Sequence, residues 1–375
     1  MPPHSPSASG DLPEHSTRFG AAERVLHEAV AAHAFPGCAF GVVVGNHLVH
    51  EGAIGHFTYE RQSTGVTPHT VYDVASVTKI AATTAAAMLL YQRGLLDLEM
   101  PLADLLPGFI VARPNGTFAR HVKLRHLLAH NSGLPGYVEF FKTQSTPAGL
   151  LRACLELPIE EPPGSRVEYS DPGFILLGKA IEVIAGEPLA QFVLREVLHP
   201  LGMMSSGFCP RASMRHSIPP TEEDMTLRHR VIRGEVQDEN AYVLKGNAGH
   251  AGLFSNVPDL LHFAREILAA ARSQDGAHPP LLFQPGTIDR FAERQVPEGS
   301  SRALGWDTPS ENSSSGRHFS RRSIGHLGYS GCSLWIDLAA GIAVVLLTNR
   351  TWPDRSSQLI REVRPAFHDA IREAL

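Results

Sequence analysis

The run IAVVLLTN, residues 342–349, limits the fold more than any other stretch of the chain. It is too short to cross a bilayer and too uniformly apolar for a strand with one wet face. It therefore reads as a strand buried on both sides of a sheet. Partner strands are expected at the opposite end of the chain. There CAFGVVVGNHLVHEGAIGHFTYE (38–60) places two Val/Phe/Ile-rich arms around a Gly-Asn turn. Residues 19–34 and 354–374 are amphipathic helices flanking these strands. Residues 95–200 are helical segments broken by Pro and Gly, among them 122–136, 172–186 and 188–202. Helix, two strands, a long helical insertion, strands and helix give an α/β (α+β) class. An antiparallel sheet is built from both chain ends beside a mostly helical lobe.

The expected organisation is a disordered tail at 1–18, an α/β lobe from 19–75 and 250–375, and a helical lobe at 76–249. A weakly periodic surface excursion is expected at 205–249. HLGYSGCSLWIDLAAGIAVVLLTNR (326–350) reads as a hairpin, and 308–323 as an exposed loop. The tail is Pro/Ser/His-rich with no apolar core of a secretory leader, which points to the cytoplasm. Four cysteines far apart, with no C-x-x-C, fit free thiols. A net charge of −5 without a Lys/Arg run gives no footprint for nucleic acid or a membrane surface.

Against this background one cation is out of place. In VYDVASVTKIAATTAAAMLL (71–90), Lys79 is the only charged side chain between Asp73 and Arg93, in a chain with five lysines. A buried ammonium costs several kcal/mol unless it is paired or loses its proton. At helical spacing Ser76 and Lys79 share a face, so hydroxyl and amine are neighbours. A desolvated lysine with a lowered pKa could take the serine proton or stabilise a base that does, and the helix N-terminus could serve an oxyanion.

Two further segments carry chemistry. Tyr169-Ser170-Asp171 lies in a turn before a helix beginning at Pro172, with Asp171 as its N-cap. A phenol brought to the Ser–Lys pair could act as a general base. His326-Leu327-Gly328 opens a strand. Gly328 would let a substrate lie against the backbone, and the Tyr329 N–H could join that of Ser76 as an oxyanion donor. Each segment also has a structural reading: a snorkelling lysine, a capped helix, a glycine-rich hairpin end.

S-x-x-K, then Y-S-D before a helix, then H-x-G at a strand resembles the serine β-lactamase/penicillin-binding-protein superfamily. The order and wide spacing are similar to its class C branch and to the family VIII carboxylesterases. Supporting stretches are LRHLLAHNSGLPGY (124–137), SRVEYSDPGFILLG (165–178), RGEVQDENA (233–241), GNAGHAGLFSNVPDLLHFA (246–264) and GHLGYSGCSLWID (325–337). The resemblance implies a serine hydrolase with Ser76 as the acylated nucleophile and Lys79 and Tyr169 as the proton-transfer pair. Asp171, His326, Gly328 and Tyr329 would support or bind the substrate. It implies no cofactor or metal and a small-molecule ester, amide or lactam as substrate.

Asp171 stands where Asn is usual in the β-lactamases, and His326 and Leu327 where Lys and Thr are usual. A neutral imidazole and an apolar side chain give up most of an anchor for a carboxylate. The expectation is therefore an esterase-like enzyme. A β-lactamase or D-peptide-cleaving enzyme is one alternative, and a binding or sensor protein that acylates slowly or not at all is another. His126 and His130 at i, i+4 lack a third ligand for a metal. His250 reads as a structural hydrogen-bonding residue, Asp238, Glu239 and Asn240 as a rim, and Tyr137 as a possible wall of the acyl pocket.

Overall fold

The computed structural model describes residues 18–111, 117–272 and 279–375. Residues 1–17 of the expected tail lie outside them. The strands are β1 (Gly37–Val44), β2 (His47–Gly55), β3 (Tyr72–Asp73), β4 (Gly207–Phe208), β5 (Pro220–Asp224), β6 (Arg230–Arg233), β7 (Leu253–Ser255), β8 (Ser323–Leu327), β9 (Ser333–Asp337) and β10 (Ile342–Thr348). The helices that position the site are α1 (Gly20–Ala31), α2 (Ala85–Gln92), α3 (Leu124–Leu128), α4 (Asp171–Ala185), α5 (Glu239–Val243), α6 (Val257–Ala271) and α7 (Ile360–Glu373).

The main sheet runs β2-β1-β10-β9-β8 and is antiparallel throughout. The N-terminal pair joins the C-terminal strands along β1 and β10, with Cys38 opposite Thr348 and Val44 opposite Ile342. Alternation explains the apolar run of β10. Val344 and Leu346 pack with Leu26, Phe40, Trp335 and Phe367 under α1 and α7. Ala343, Val345 and Leu347 face the larger core beneath α6. Each such Val or Leu side chain contributes roughly 1.5–3 kcal/mol when removed from water. The mixed α/β class and antiparallel sheet agree with the reading from sequence.

Away from the Ser76 and Asp171 segments, local assignments differ in three places. The expected hairpin over 326–350 is a three-strand meander, and His326 sits near the end of edge strand β8 rather than opening a strand. The segment 122–136 is helical only over α3, after which His130 takes a left-handed φ of 55°. In the 205–249 segment, β4 joins β7 in the small β3-β7-β4 sheet and β5 pairs with β6. The chain then returns through buried Gln237 and Asn240 to the foot of α5. Among the described residues no helix is long and apolar enough to cross a membrane, and all four cysteines are free.

Candidate active site

The turn carrying Ser76 is held under strain. β3 pairs with β7, and the Val74 N–H donates to the Leu253 carbonyl at 3.1 Å. The next residue, Ala75, has φ +47°, a conformation that costs a non-glycine residue free energy unless its surroundings impose it. Asp73 imposes it: Oδ1 accepts the Ala75 N–H at 2.8 Å and Oδ2 the Gln237 N–H at 2.7 Å. The Thr78 hydroxyl donates to the Ala75 carbonyl at 2.6 Å. Burial, with a smaller contribution from Asp238, pushes the Asp73 carboxyl up to about 6 despite the two N–H donors. Replacing Asp73 by Ala would orphan two buried N–H groups and free Ala75. The expected result is a loss of about 2–6 kcal/mol in urea unfolding and a fall in kcat of about 10–100-fold. An unchanged kcat would show that the turn holds without this carboxylate.

Ser76 lies in a short 3-10 turn (Ala75–Val77), and a wide π-turn (Lys79–Thr84) precedes α2. The regular helix expected through both residues is absent, yet hydroxyl and amine still meet. Lys79 is fully buried, and Nζ donates to three acceptors: Ser76 Oγ at 2.9 Å, Asp171 Oδ1 at 2.7 Å and the His250 carbonyl at 3.0 Å. Those bonds use all three hydrogens of an ammonium. This corrects the expectation of a lowered lysine pKa. Burial pulls it down, but the Asp171 carboxylate and the Tyr169 phenol outweigh burial and the net shift is upward.

Asp171 is the first residue of α4 and is not its cap. Ser170 caps the helix, its hydroxyl accepting the Gly173 N–H at 3.0 Å. With Ser170 in that role, Asp171 is free to turn toward Lys79. The Ser170 N–H donates to His130 Nδ1 at 2.9 Å. Tyr169 lies just before the cap, its ring centroid 4.7 Å from Lys79 Nζ, and its hydroxyl interacts with Ser76 and Lys79. Burial raises the Tyr169 pKa and the Asp171 charge adds to that, while Lys79 opposes both.

The far side of Lys79 is closed by the loop before β7. The His250 ring reaches Asp238 Oδ1 at 2.8 Å, and Asp238 caps α5 through the Ala241 N–H at 2.7 Å. Although burial works against it, the His250 contact and these hydrogen bonds hold the Asp238 carboxyl down at about 2.

At the end of β8, His326 Nδ1 lies 2.7 Å from the Leu327 carbonyl. A carbonyl only accepts, so Nδ1 carries the proton. Nε2 is then a buried lone pair with no partner among the described residues. Burial, Lys79 and Arg302 hold the imidazole well below the ordinary histidine range, so it is neutral. At Gly328 a Cβ would come within 2.4 Å of the Val74 carbonyl. Only glycine lets the strand end close against the Ser76 turn. The Tyr329 N–H donates no hydrogen bond among the described residues, while its carbonyl accepts from Arg350 Nε at 2.7 Å.

These groups line one cleft of about 740 Å³, which includes Ser76, Tyr137, Tyr169, Asp171, Asp238, Glu239, Arg302, His326, Gly328 and Tyr329. Asn240 bonds the chain around Val138 and Phe141. His126 and His130 do not form a pair of ligands. His126 Nδ1 accepts the Lys123 N–H at 3.0 Å, as His130 accepts that of Ser170. Among the described residues no cluster of His, Cys, Asp or Glu could hold a metal ion.

The sequence reading brings Ser76, Lys79, Tyr169, Asp171 and His326 to this cleft and misses two residues beside them. Asp73 left a signal, being the acid that brackets the apolar run holding Lys79. Arg302, whose guanidinium lies 5.3 Å from the Tyr169 ring centroid, left none, because it arrives from a loop 133 positions away (302 − 169).

The beta-lactamase family model matches residues 22–365. The chain is 29% identical over 362 residues to an N-acetylmuramyl-L-alanine amidase of Bacillus subtilis (strain 168), covering 88% of this chain and 80% of that one. It is 31% identical over 353 residues to a putative D-alanyl-D-alanine carboxypeptidase of Salmonella enteritidis PT4 (strain P125109), covering 84% and 79%. Among solved structures, EstCE1, a hydrolase with promiscuous acyltransferase activity, superimposes with a TM-score of 0.73 at 22% identity, over 94% of this chain and 99% of that one. With the family model matched over most of its length, the chain belongs to the beta-lactamase family.

Proposed function

We propose that the protein hydrolyses carboxylic esters, and amides more slowly, through an acyl-enzyme on Ser76. The observation that carries this is the bonding of Lys79, whose three N–H groups are committed to Ser76, Asp171 and His250. An ammonium so placed has no lone pair to accept a proton. The Ser76 O–H is then directed to Tyr169, which accepts the proton in its ionised form, a phenolate that Lys79 stabilises. Ser76 Oγ bonds to the substrate carbonyl carbon, and its proton passes through Tyr169 to the departing oxygen or nitrogen as the old bond breaks. The N–H groups of Ser76 and Tyr329 receive the oxyanion. Water then attacks the acyl-enzyme, with Tyr169 again taking the proton.

The ester-first ranking rests on His326 and Leu327, which offer β8 neither a cation nor a hydroxyl for a lactam carboxylate. Amide cleavage is the second reading, favoured by the names of the amidase and carboxypeptidase relatives. A fluorophosphonate probe is expected to add once, on the peptide containing Ser76. No adduct on folded protein would favour a non-catalytic role. Initial rates are expected to fall from 4-nitrophenyl butyrate to an alanine anilide to nitrocefin. A preference for nitrocefin would replace the ester reading with that of a β-lactamase.

A further inference from the structure

Five carboxylates line the cleft, and four of them face a cation. Asp171 bonds Lys79 at 2.7 Å, Glu139 bonds Lys142 at 2.7 Å, Glu239 bonds Arg355 at 2.7 Å, and Asp307 lies 3.9 Å from Arg302. Asp238 differs: among the described residues it makes no ion pair with lysine or arginine. Its Oδ1 accepts the Ala241 N–H and meets His250 Nε2, its Oδ2 accepts nothing from the described residues, and 21% of the side chain is open. The residue before it offers a second unused acceptor. Gln237 is only 3% exposed, and its Nε2 donates to Glu222 Oε2 at 3.2 Å. A carboxylate only accepts, so this bond fixes which end of the amide is nitrogen. Gln237 belongs to the cleft lining and Glu222 does not. The amide oxygen is therefore left toward the cleft, with no donor among the described residues.

Both acceptors are held in place. The Gln237 N–H is bound to Asp73, Asp238 caps α5, and Asn240 ties that helix to the rim at Val138 and Phe141. Tyr137 completes the wall. Burial, Asp238 and Glu239 push its phenol up, so that hydroxyl shares the negative field. A fixed pair of acceptors with no donor between them suits a group that only donates, and an ammonium does so with three hydrogens. Resting on the serine-hydrolase reading, we propose that Asp238 and Gln237 form a subsite for a primary ammonium carried on the acyl half of the substrate. Tyr169 hands its proton to the departing atom, so the departing half lies on the Tyr169 flank. Asp238 stands on the far side of Lys79, behind His250, and faces the half that stays on Ser76. Lys79 takes the carbonyl of His250 and Asp238 takes its ring, so the length of one histidine separates them. The ammonium therefore lies several bonds from the reacting carbonyl, beyond the place of an α-amine.

The test compares 4-nitrophenyl 6-aminohexanoate with 4-nitrophenyl heptanoate, which differ only in a terminal ammonium or methyl. Wild type is expected to favour the amine in kcat/KM, with the preference falling from low to high salt. Asp238→Asn keeps the oxygen that caps α5 and removes the charge. It is expected to lower the amine-to-heptanoate ratio at least tenfold, with Asp238→Glu restoring part of it. A purely structural effect would change both substrates together and leave the ratio alone. A ratio that Asp238→Asn leaves within twofold of wild type overturns the subsite. Should that variant not fold, wild type decides. The 4-nitrophenyl ester of 6-(trimethylammonio)hexanoate keeps the charge but has no N–H to give, and is expected to turn over at least fivefold more slowly than the amine. Equal turnover of the two cations overturns the proposal. Hydrolysis of the heptanoate that survives Ser76→Ala would instead sink the serine mechanism, so the two failures are distinct.

Discussion

Lys79→Met is expected to lower kcat/KM for 4-nitrophenyl butyrate by about three to four orders of magnitude, with the fold intact. Methionine keeps most of the stem volume and packs among the apolar residues that surround the amine. What disappears is the charge that makes a Tyr169 phenolate accessible and the donor that fixes Ser76 Oγ at 2.9 Å. Losing a partner of a buried ion pair ordinarily destabilises, because the other charge is left dry. Here the Asp171 side chain keeps 14% of its surface on the cleft and can be hydrated. The melting temperature is therefore expected to move by a few degrees only, and a rise would fit a site that holds strain for function. Retention of more than a tenth of wild-type activity in folded Lys79→Met would refute the role given to the amine.

Asp171→Asn is expected to move the pH–rate profile acidward by about 1–3 units. Asp171 raises both Lys79 and Tyr169, directly opposing burial in the first case and adding to it in the second. Both groups thus hold their protons above their ordinary values, and the reactive form, with one proton fewer across the pair, is a minor species at neutral pH. Wild-type kcat/KM is expected to climb with pH through 9.5 without levelling. Removing the carboxylate charge lowers both members together and brings the plateau into the measurable range. This climb is not unfolding in disguise. A lysine raised above its unfolded value contributes stability that is complete below the ordinary lysine range and is lost only above it. His326 adds no acid limb near pH 6, because it is neutral well below that. A profile that stays put or moves alkaline in Asp171→Asn would refute the electrostatic account.

The sequence by itself determined the sheet class and the identities at the site. IAVVLLTN reads as an interior strand, and both faces of β10 are covered, with the Val-rich arm β1 from the other end of the chain as one neighbour and β9 as the other. The spacing of Ser76 and Lys79 brings hydroxyl and amine together even though the backbone there is a 3-10 turn followed by a π-turn, because the step from Ser76 to Lys79 runs through the 3-10 turn, where three residues make one full turn. Charge states and close contacts of several residues follow only from the tertiary structure. A lowered pKa was expected for Lys79 in a dry pocket, and α4 delivers Asp171 from 92 positions away to raise it. The close approach of Gly328 to the Val74 carbonyl appears only when β8 closes on the Ser76 turn. Arg302 had no signature at all. Electrostatic shifts and close approaches depend on distances of a few ångströms between segments far apart in the chain, and no local pattern of residues encodes those distances.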